Sequence, residues 1–250
     1  KGKPGDGQVS VSANFGIQQR TSMPKVLNAS QFASMHNEMM SNAGRAQNPA
    51  FSNPLALGKG TDWMDAMFRS ATFQNYSIAY SGGGEKNSYY VSGGVFDQNG
   101  IVINTSFRRF TFQFNGESKV KEWLKFGNAV TLSHDVKRSG AYGIRDVMAA
   151  LPTQPIYNED GTFSGPGDRA EWWGDMRNPI GSAKLNKSNT KGYNLLGNIY
   201  GELDLFKKVK VKSTVGIDAK FWDNDGFTPK YDWKPIPVPS SERSQSSNKS

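Results

Sequence analysis

The sequence predicts an all-β protein, and its connections favour a large antiparallel transmembrane β-barrel over a soluble sheet protein. Three observations lead to this prediction. Seven segments alternate between apolar and polar residues, the connections between them are alternately short and long, and charged side chains share one face of the later segments.

The alternating segments have a period of two, which is typical of strands with two different faces. They cover residues 9–18, 76–81, 88–95, 109–115, 124–132, 194–205 and 209–221. In the fourth segment Phe110, Phe112 and Phe114 form an uninterrupted apolar face, whereas in the fifth Asn128 interrupts that face.

Alternation alone does not separate two kinds of fold. In the stretch SYYVSGGVFDQNGIV, residues 88–102, we expect Tyr89, Val91 and Val95 to face one side, with a break beginning at Asp97. The residues predicted for the opposite side are Ser88, Tyr90 and Ser92. Such a strand fits a soluble β-sandwich as well as one stave of a membrane barrel.

The lengths of the connections favour the barrel. The short ones are GGGEKN (82–87), GESKVKE (116–122) and about three residues around 206–208, and the long ones are 19–75, 97–106 and 135–191. Outer-membrane barrels have tight turns on the periplasmic side and long loops outside, whereas a soluble sandwich has no reason to place every long loop at one end.

The two faces differ in chemistry. A polar face that would line a wet interior carries Glu202, Asp204, Lys210, Lys212, Asp218 and Lys220. Aromatic residues predicted near strand ends, where a membrane interface would favour them, are Tyr76, Tyr80, Tyr89, Trp123, Tyr193 and Phe206. The aliphatic and phenylalanine positions are expected to face lipid.

Three short helices are predicted within the long connections. The first begins at Asn28 with a capping box to Gln31 and ends at Gly44, and the second begins at Asp62. The third lies in YGIRDVMAALP and is ended by Pro152. We expect these helices to pack at the outer mouth of the barrel.

Composition excludes several classes of function. The 250 residues include no cysteine, so disulfides, thiolate metal sites and cysteine nucleophiles are absent. The net charge of +8 is scattered along the chain, which disfavours a nucleic-acid partner. The start, KGKPGDGQ, reads as a linker and not as a signal peptide, and the end, SSERSQSSNKS, as polar low-complexity sequence. Both ends are expected to be cuts through a longer protein.

A family resemblance rests on several motifs. They are Asp62-Trp63, QNY, SGG, the YY strand, FDQNGIV, the FRRF strand, NEDGTF and LLGNIYGELDLFKKVKVKSTVGID. With these motifs the chain resembles the SusC/RagA-type TonB-linked outer-membrane transporters along nearly its whole length. The resemblance implies residues 1–8 as a plug-to-barrel junction and residues 9–250 as the N-terminal portion of the barrel, about seven strands of an expected 22. The TonB box, the plug and the remaining strands would lie outside this chain.

The resemblance also implies a function. Such transporters import oligosaccharides or peptides across the outer membrane of a Gram-negative bacterium, powered by TonB and capped by a SusD-like surface lipoprotein. Outer-membrane lipid and the rest of the same barrel would be the other partners. No cofactor and no enzymatic activity are expected. The alternative is a soluble carbohydrate-binding β-sandwich, in which Phe110, Phe112, Phe114, Val211, Val215 and Ile217 would be buried between two sheets.

Candidate sites for chemistry are few. His36 and His134 lack ligand spacing, and the acidic stretches 158–161 and 223–226 lack the distal carboxylate of a calcium loop, so both stretches are predicted as turns. A barrel enzyme such as a lipase is disfavoured because no nucleophile pairs with a histidine. The candidates for contact with a ligand or partner are the loop residues Trp172, Trp173, Asp168 and Arg169.

Overall fold

The computed structural model describes residues 5–140, 143–165, 177–206, 209–233, 237–238 and 240–250. These residues form one eight-stranded antiparallel sheet and one two-stranded ribbon. The strands of the large sheet are β1 (Gly5–Gln18), β2 (Ala71–Gly83), β3 (Asn87–Asn99), β4 (Ser106–Lys121), β5 (Leu124–Ser139), β6 (Lys187–Asp204), β7 (Lys210–Thr228) and β10 (Glu242–Lys249). The ribbon pairs β8 (Tyr231–Asp232) with β9 (Pro237–Val238).

The large sheet is a meander in which each strand pairs with the next one along the chain. Short connections join β2 to β3, β4 to β5 and β6 to β7, and long connections join β1 to β2, β3 to β4, β5 to β6 and β7 to β10. Since antiparallel neighbours reverse direction, every long connection lies at the same end of the sheet. The predicted alternation of short and long connections holds except at the β3–β4 connection, residues 100–105, which is shorter than predicted and similar in length to the β6–β7 connection, residues 205–209.

The strands are longer than predicted. β3 continues through Asn99, so the outer connection begins at Gly100 and not at Asp97. Most of GESKVKE lies in β4, and only Glu122 and Trp123 form the turn. Across this turn Lys119 donates a hydrogen bond to Glu122 at 2.6 Å, and this contact lowers the pKa of the Glu122 carboxyl.

The large sheet has eight strands where about seven were predicted, because the polar low-complexity end of the chain is itself a strand. Residues Glu242–Lys249 form β10, which pairs with Phe221–Thr228 of β7. That part of β7 includes 223–226, which is therefore strand and not the predicted turn. The only apolar residues in the two paired stretches, 221–228 and 242–249, are Phe221, Trp222 and Phe227. These three do not alternate with polar residues, so no period-two pattern marks either stretch as a strand.

All three predicted helices are present, and a fourth was missed. α1 (Ala29–Asn42) begins with the capping box of Asn28 and Gln31, α2 (Trp63–Met67) is capped by Asp62, and α3 (Ile144–Ala149) ends before Pro152. The missed helix is α4 (Pro179–Leu185), capped by Asn178. Two 3₁₀ turns, Pro49–Phe51 and Pro54–Leu57, lie in the same long connection as α1.

No helix of the described residues is long enough and apolar enough to cross a membrane.

The buried core lies in the long connections and not on the sheet. Residues from α2, α3, α4 and the β3–β4 connection form it: Trp63, Met64, Met67, Val102, Val147, Ala150, Ile180 and Ala183. Because three different connections contribute, the outer end of the sheet carries one packed unit, which we term the outer cap.

Candidate functional site

The membrane-facing candidate is the apolar face of the sheet. The register brings apolar residues of successive strands into continuous rows across this face. One row consists of Val11, Ile78, Gly93, Phe112, Leu132, Leu195 and Ala219. A surface of this size that is apolar and uncovered marks contact with lipid or with another protein.

The residues predicted to distinguish a membrane barrel from a soluble sandwich lie on this face and are exposed. The exposed fractions of Phe110, Phe112 and Phe114 are 42%, 46% and 40%, and that of Val215 is 67%. Val211 and Ile217 are exposed as well. Within the described residues no second sheet lies against them, because the only other sheet is the two-residue ribbon β8–β9. The sheet therefore lacks the sandwich packing that the soluble alternative requires.

The apolar face is staggered from strand to strand. On β1 the apolar positions run from Val9 to Ile17, with Ala13 in the middle, and on the β7 side they run from Val209 to Phe221, with Val215 in the middle. The row of register partners that begins at Ala13 on β1 reaches β7, six strands further on, at Phe221. Phe221 is six residues from Val215, so the middle of the apolar band shifts by six residues over six strands. A shift of one residue per strand is what tilted strands of a barrel produce when their apolar band stays level.

Aromatic residues lie on both sides of the apolar band. Tyr80 and Tyr89 pack together near the short turns, with ring centroids 5.6 Å apart, and Trp123 and Phe206 lie in the turns themselves. Near the long connections Phe110, His134 and Tyr193 stack in one row, and Tyr76 lies in the same row. Tyr76 and Tyr193 are several residues inside their strands, because those strands continue past the band as polar extensions.

The opposite face is polar and carries the predicted charges. Strand register places Glu202 opposite Lys212, and Asp204 opposite Lys210. Lys210 forms ion pairs with Asp204 at 3.2 Å and with Glu202 at 3.7 Å. Asp218 and Lys220 lie on this face as well, 3.5 Å apart. The prediction that these residues share the polar face is confirmed.

Two further charge networks on this face were not predicted. Near the long connections Arg109 forms a two-point ion pair with Asp135, at 2.6 and 3.1 Å, and Asn194 donates to the same carboxylate at 3.2 Å. The network near the short turns centres on Glu117, which accepts a hydrogen bond from the Tyr200 hydroxyl at 2.6 Å. The residues around it are Lys125, 3.4 Å from Glu117, and Lys212, 3.9 Å above the Tyr200 ring.

The network at Glu117 borders a cavity of about 560 Å³ on the polar face. Its lining includes Asn115, Asn198 and Thr214 besides Glu117, Tyr200 and Lys212. A lining of paired charges, amides and hydroxyls can form hydrogen bonds with a polar solute or a polar protein surface. Because its charges are paired, such a lining does not select for ligands of one charge sign.

An aromatic ladder crosses the polar face near the long connections. Phe73, Phe96 and Phe107 follow one another on β2, β3 and β4, with ring centroids 6.4 and 6.1 Å apart, and the Arg109 guanidinium lies 5.1 Å above the Phe107 ring. The sequence did contain a signal for this ladder. Each of its three rings lies an odd number of residues from an apolar-face residue of the same strand, Tyr76, Val95 or Phe110, and alternation therefore places it on the polar face.

Comparison with known proteins supports a single family. No family model matches the chain. TonB-dependent receptor P26 of Formosa agariphila is 32% identical over 228 residues, and TonB-dependent receptor SusC of Bacteroides thetaiotaomicron is 27% identical over 231 residues; these matches cover 90% and 88% of the chain. The chain belongs to the SusC-like TonB-dependent receptors. The solved structure of the RagAB peptide transporter has the same fold, with a TM-score of 0.77 over 98% of the chain at 20% identity.

The chain spans only a minor part of the length of the proteins that it matches. It spans 22% of the length of each of the two curated relatives and 32% of the matched RagAB chain. Its eight-stranded sheet is accordingly part of a TonB-dependent receptor barrel.

The predicted contact residues Trp172, Trp173, Asp168 and Arg169 lie outside the described residues, so their role stays a prediction. The stretch 158–161 forms the predicted turn, in which Gly161 has a φ of +80° and Asn158 donates its backbone N–H to the Thr162 carbonyl.

Both histidines of the receptor segment have packing roles. His36 lies in α1 against Phe32 and Phe51, and His134 stacks on Tyr193 with centroids 4.4 Å apart while its Nδ1 lies 3.0 Å from the Gly192 carbonyl oxygen. Across the described residues no three His, Asp or Glu side chains are placed to hold a metal ion.

Proposed function

We propose that the full-length protein is an outer-membrane active transporter of a Gram-negative bacterium that imports oligosaccharides or peptides. The observation that carries this proposal is the two-faced sheet whose exposed apolar band is staggered by one residue per strand. A lipid-facing barrel wall needs such a band on one side and a polar lining on the other. The described residues provide both.

In this proposal residues 9–250 supply the first strands of the barrel and residues 1–8 its junction with a plug. The remaining strands, the plug and the TonB-contacting region belong to the rest of the protein. TonB would power import, and a SusD-like surface lipoprotein would cover the mouth on the side of the long connections. The name of the RagAB peptide transporter supports transport and a peptide as one substrate class. The oligosaccharide class rests on the family resemblance of the sequence.

The polar face would form the inner wall of the transport path. Several of its charges are paired within the wall, as in Arg109 with Asp135 and Lys210 with Asp204, so these pairs offer hydrogen bonds with little net charge. The ladder of Phe73, Phe96 and Phe107 lies near the mouth, where aromatic rings can stack on sugar rings or on apolar side chains of a peptide.

Deletion of the gene tests the proposal. The host should lose growth on one class of oligosaccharide or peptide, and the full-length gene should restore growth only when TonB is present. Fractionation should place the protein in the outer membrane, with the heat-dependent gel mobility of a barrel. Recovery of a folded protein in the soluble fraction would falsify the proposal and favour the carbohydrate-binding β-sandwich.

We also propose that Trp172 and Trp173, with Asp168 and Arg169, contact the substrate or the lipoprotein. In the full-length protein, Trp172→Ala with Trp173→Ala should lower uptake without lowering the amount of assembled barrel. Loss of co-purified lipoprotein would assign the pair to the partner, and weaker substrate binding with the lipoprotein retained would assign it to the substrate. If uptake is unchanged, the pair only packs within its loop.

A further inference from the structure

Three basic residues form a compact group just beyond the apolar band on the membrane-facing side. Arg108 is the membrane-facing residue that precedes Phe110 on β4, and Lys191 is the one that precedes Tyr193 on β6. On β5 between them, Arg138 follows Val136. These are the first charged residues past the apolar band on three adjacent strands, on the side of the long connections.

Strand register brings the three cations around Val136. Arg108 and Lys191 are both direct partners of Val136, one on each side, so about 10 Å separates their Cα atoms. Arg138 pairs with Ser106 and with Asn189, which makes it a diagonal neighbour of both other cations at about 7–8 Å. A group of oxygens above Val136 would lie within reach of all three side chains.

Acidic residues lie only at the two edges of this group. Asp97 on β3 forms an ion pair with Arg108, and Asp223 on β7 is the register partner of Lys191 and accepts a hydrogen bond from Ser247. Within the described part of the chain, neither Lys191 nor Arg138 forms an ion pair, and Arg138 Nε is buried without a hydrogen-bond partner. Two cations of the group therefore have no carboxylate partner among the described residues.

An apolar groove lies on the same face below the cations, and its lining runs from β1 to β7. Its volume is about 870 Å³, and its lining includes Phe110, Phe112, Leu132, Tyr193 and Leu195. At Gly93, which also lines it, an added Cβ would meet no atom within 4 Å, so the absent side chain leaves open space. The stacked rings of Phe110, His134 and Tyr193 form the edge of the groove that is nearest to the cations.

We propose that this group is a binding site for a phosphate-bearing lipid of the leaflet on the side of the long connections. The phosphate would lie above Val136 among Arg108, Arg138 and Lys191, since guanidinium and ammonium groups form charge-assisted hydrogen bonds to phosphate oxygens. The acyl chains would pass the aromatic row and lie in the groove. A free phosphate ion would use only the upper half of this arrangement, and for that reason the site is assigned to a lipid.

The inference rests on the proposed membrane location, and the test separates the two. The full-length receptor is purified from outer membranes in neutral detergent, and its heat-dependent gel mobility shows whether the barrel is assembled. Native mass spectrometry then compares retention of phosphatidic acid with that of phosphatidylcholine carrying the same chains. Failure of the barrel to appear in outer membranes contradicts the proposed function, whereas an assembled barrel without lipid preference contradicts only the lipid site.

Arg138→Gln and Lys191→Gln are the test variants, alone and combined. Each should weaken phosphatidic acid binding about fivefold, in line with the contribution of a basic residue near an anionic lipid surface. Lys137→Gln is the matched control, because Lys137 is adjacent to Arg138 on β5 but faces the polar side. The single Lys191→Gln variant keeps the test valid if the double variant does not assemble, since Lys191 is exposed.

Two results would overturn the proposal. One is equal retention of the two lipids by the parent protein, or equal loss in Lys137→Gln and in the test variants. The other is displacement of phosphatidic acid by excess inorganic phosphate alone, which would show that the cations take free phosphate and that the groove contributes nothing.

Discussion

The indole N–H of Trp63 donates a hydrogen bond to the carbonyl oxygen of Leu151 at 2.8 Å, across 88 residues of sequence. Trp63 belongs to α2 in the connection after β1, and Leu151 follows α3 in the connection after β5. Thr61 reinforces the same junction, because its backbone N–H donates to the Pro152 carbonyl at 2.8 Å. The outer cap is therefore held by bonds between connections and not only by its apolar contacts.

Substitution of Trp63 should loosen the outer cap without affecting membrane assembly. Trp63→Phe retains most of the buried ring but leaves the Leu151 carbonyl without its donor, at a cost of about 1–3 kcal/mol. Trp63→Ala adds a cavity and should cost about 3–5 kcal/mol. Limited proteolysis of the assembled protein should cut residues 140–186 faster in the order Ala, Phe, parent. Met35→Ala is the control, since Met35 is exposed on α1; equal proteolysis of all four proteins would show that Trp63 does not hold the cap.

Replacement of Asn104 by alanine should destabilise the outer cap more than replacement by glycine. Its φ of +59° is unfavourable for residues with a Cβ other than asparagine and aspartate, and its side-chain amide donates to the Ala183 carbonyl at 2.7 Å. Both variants lose this bond to α4, but only Asn104→Ala also acquires strain, which adds about 1 kcal/mol. The measurement is the protease sensitivity of the outer cap in the assembled protein. The reverse order of the two variants would contradict the assigned backbone conformation.

The sequence predicted the elements that cross the apolar band and missed those that lie beyond it. Phe110, Phe112 and Phe114 alternate with polar residues because one side of β4 faces an apolar environment, so their strand was readable. β10 pairs only with the polar extension of β7, where neither face selects apolar residues, and its strand left no pattern. Two of the predicted helices had cap residues in the sequence, Asn28 for α1 and Asp62 for α2, and α3 was bounded by Pro152. The missed α4 also has such a signal, because Asn178 caps it and precedes Pro179.

The candidate sites required register as well as pattern. Arg109 and Asp135 are 26 residues apart, and only the pairing of β4 with β5 places them opposite each other. The same holds for Glu117 and Tyr200, whose strands are brought together through β5. Alternation assigns each residue to a face, but it does not assign a neighbour on that face.

Gly127 should resist substitution because the Tyr200 ring covers it. A Cβ at Gly127 would clash with the ring and the hydroxyl of Tyr200, so Gly127→Ala should displace Tyr200 from its hydrogen bond with Glu117. We expect the free energy of unfolding to fall by about 1–3 kcal/mol, which would appear as a lower urea midpoint of the assembled barrel. Gly93→Ala is the control, since its Cβ would meet nothing within 4 Å. Adding Tyr200→Ala to Gly127→Ala should remove the clash, so the double variant should lose less than the sum of the two single variants; strict additivity would show that the ring does not lie on Gly127.

Adjacent residues of β7 provide the sharpest test of which face meets lipid. Val215 lies at the middle of the apolar band with 67% of its surface exposed, and Thr214 lies on the polar face beside the Glu117 network. In a membrane barrel Val215→Arg should cost about 2–4 kcal/mol, because a charge would enter the hydrocarbon layer near its middle, whereas Thr214→Arg faces an aqueous interior and should cost less than 1 kcal/mol. The amount of heat-modifiable barrel in outer membranes measures both variants under the same conditions. Equal assembly of the two would mean that the apolar face of β7 does not contact lipid, and a greater loss for Thr214→Arg would place the lipid on the opposite side of the sheet.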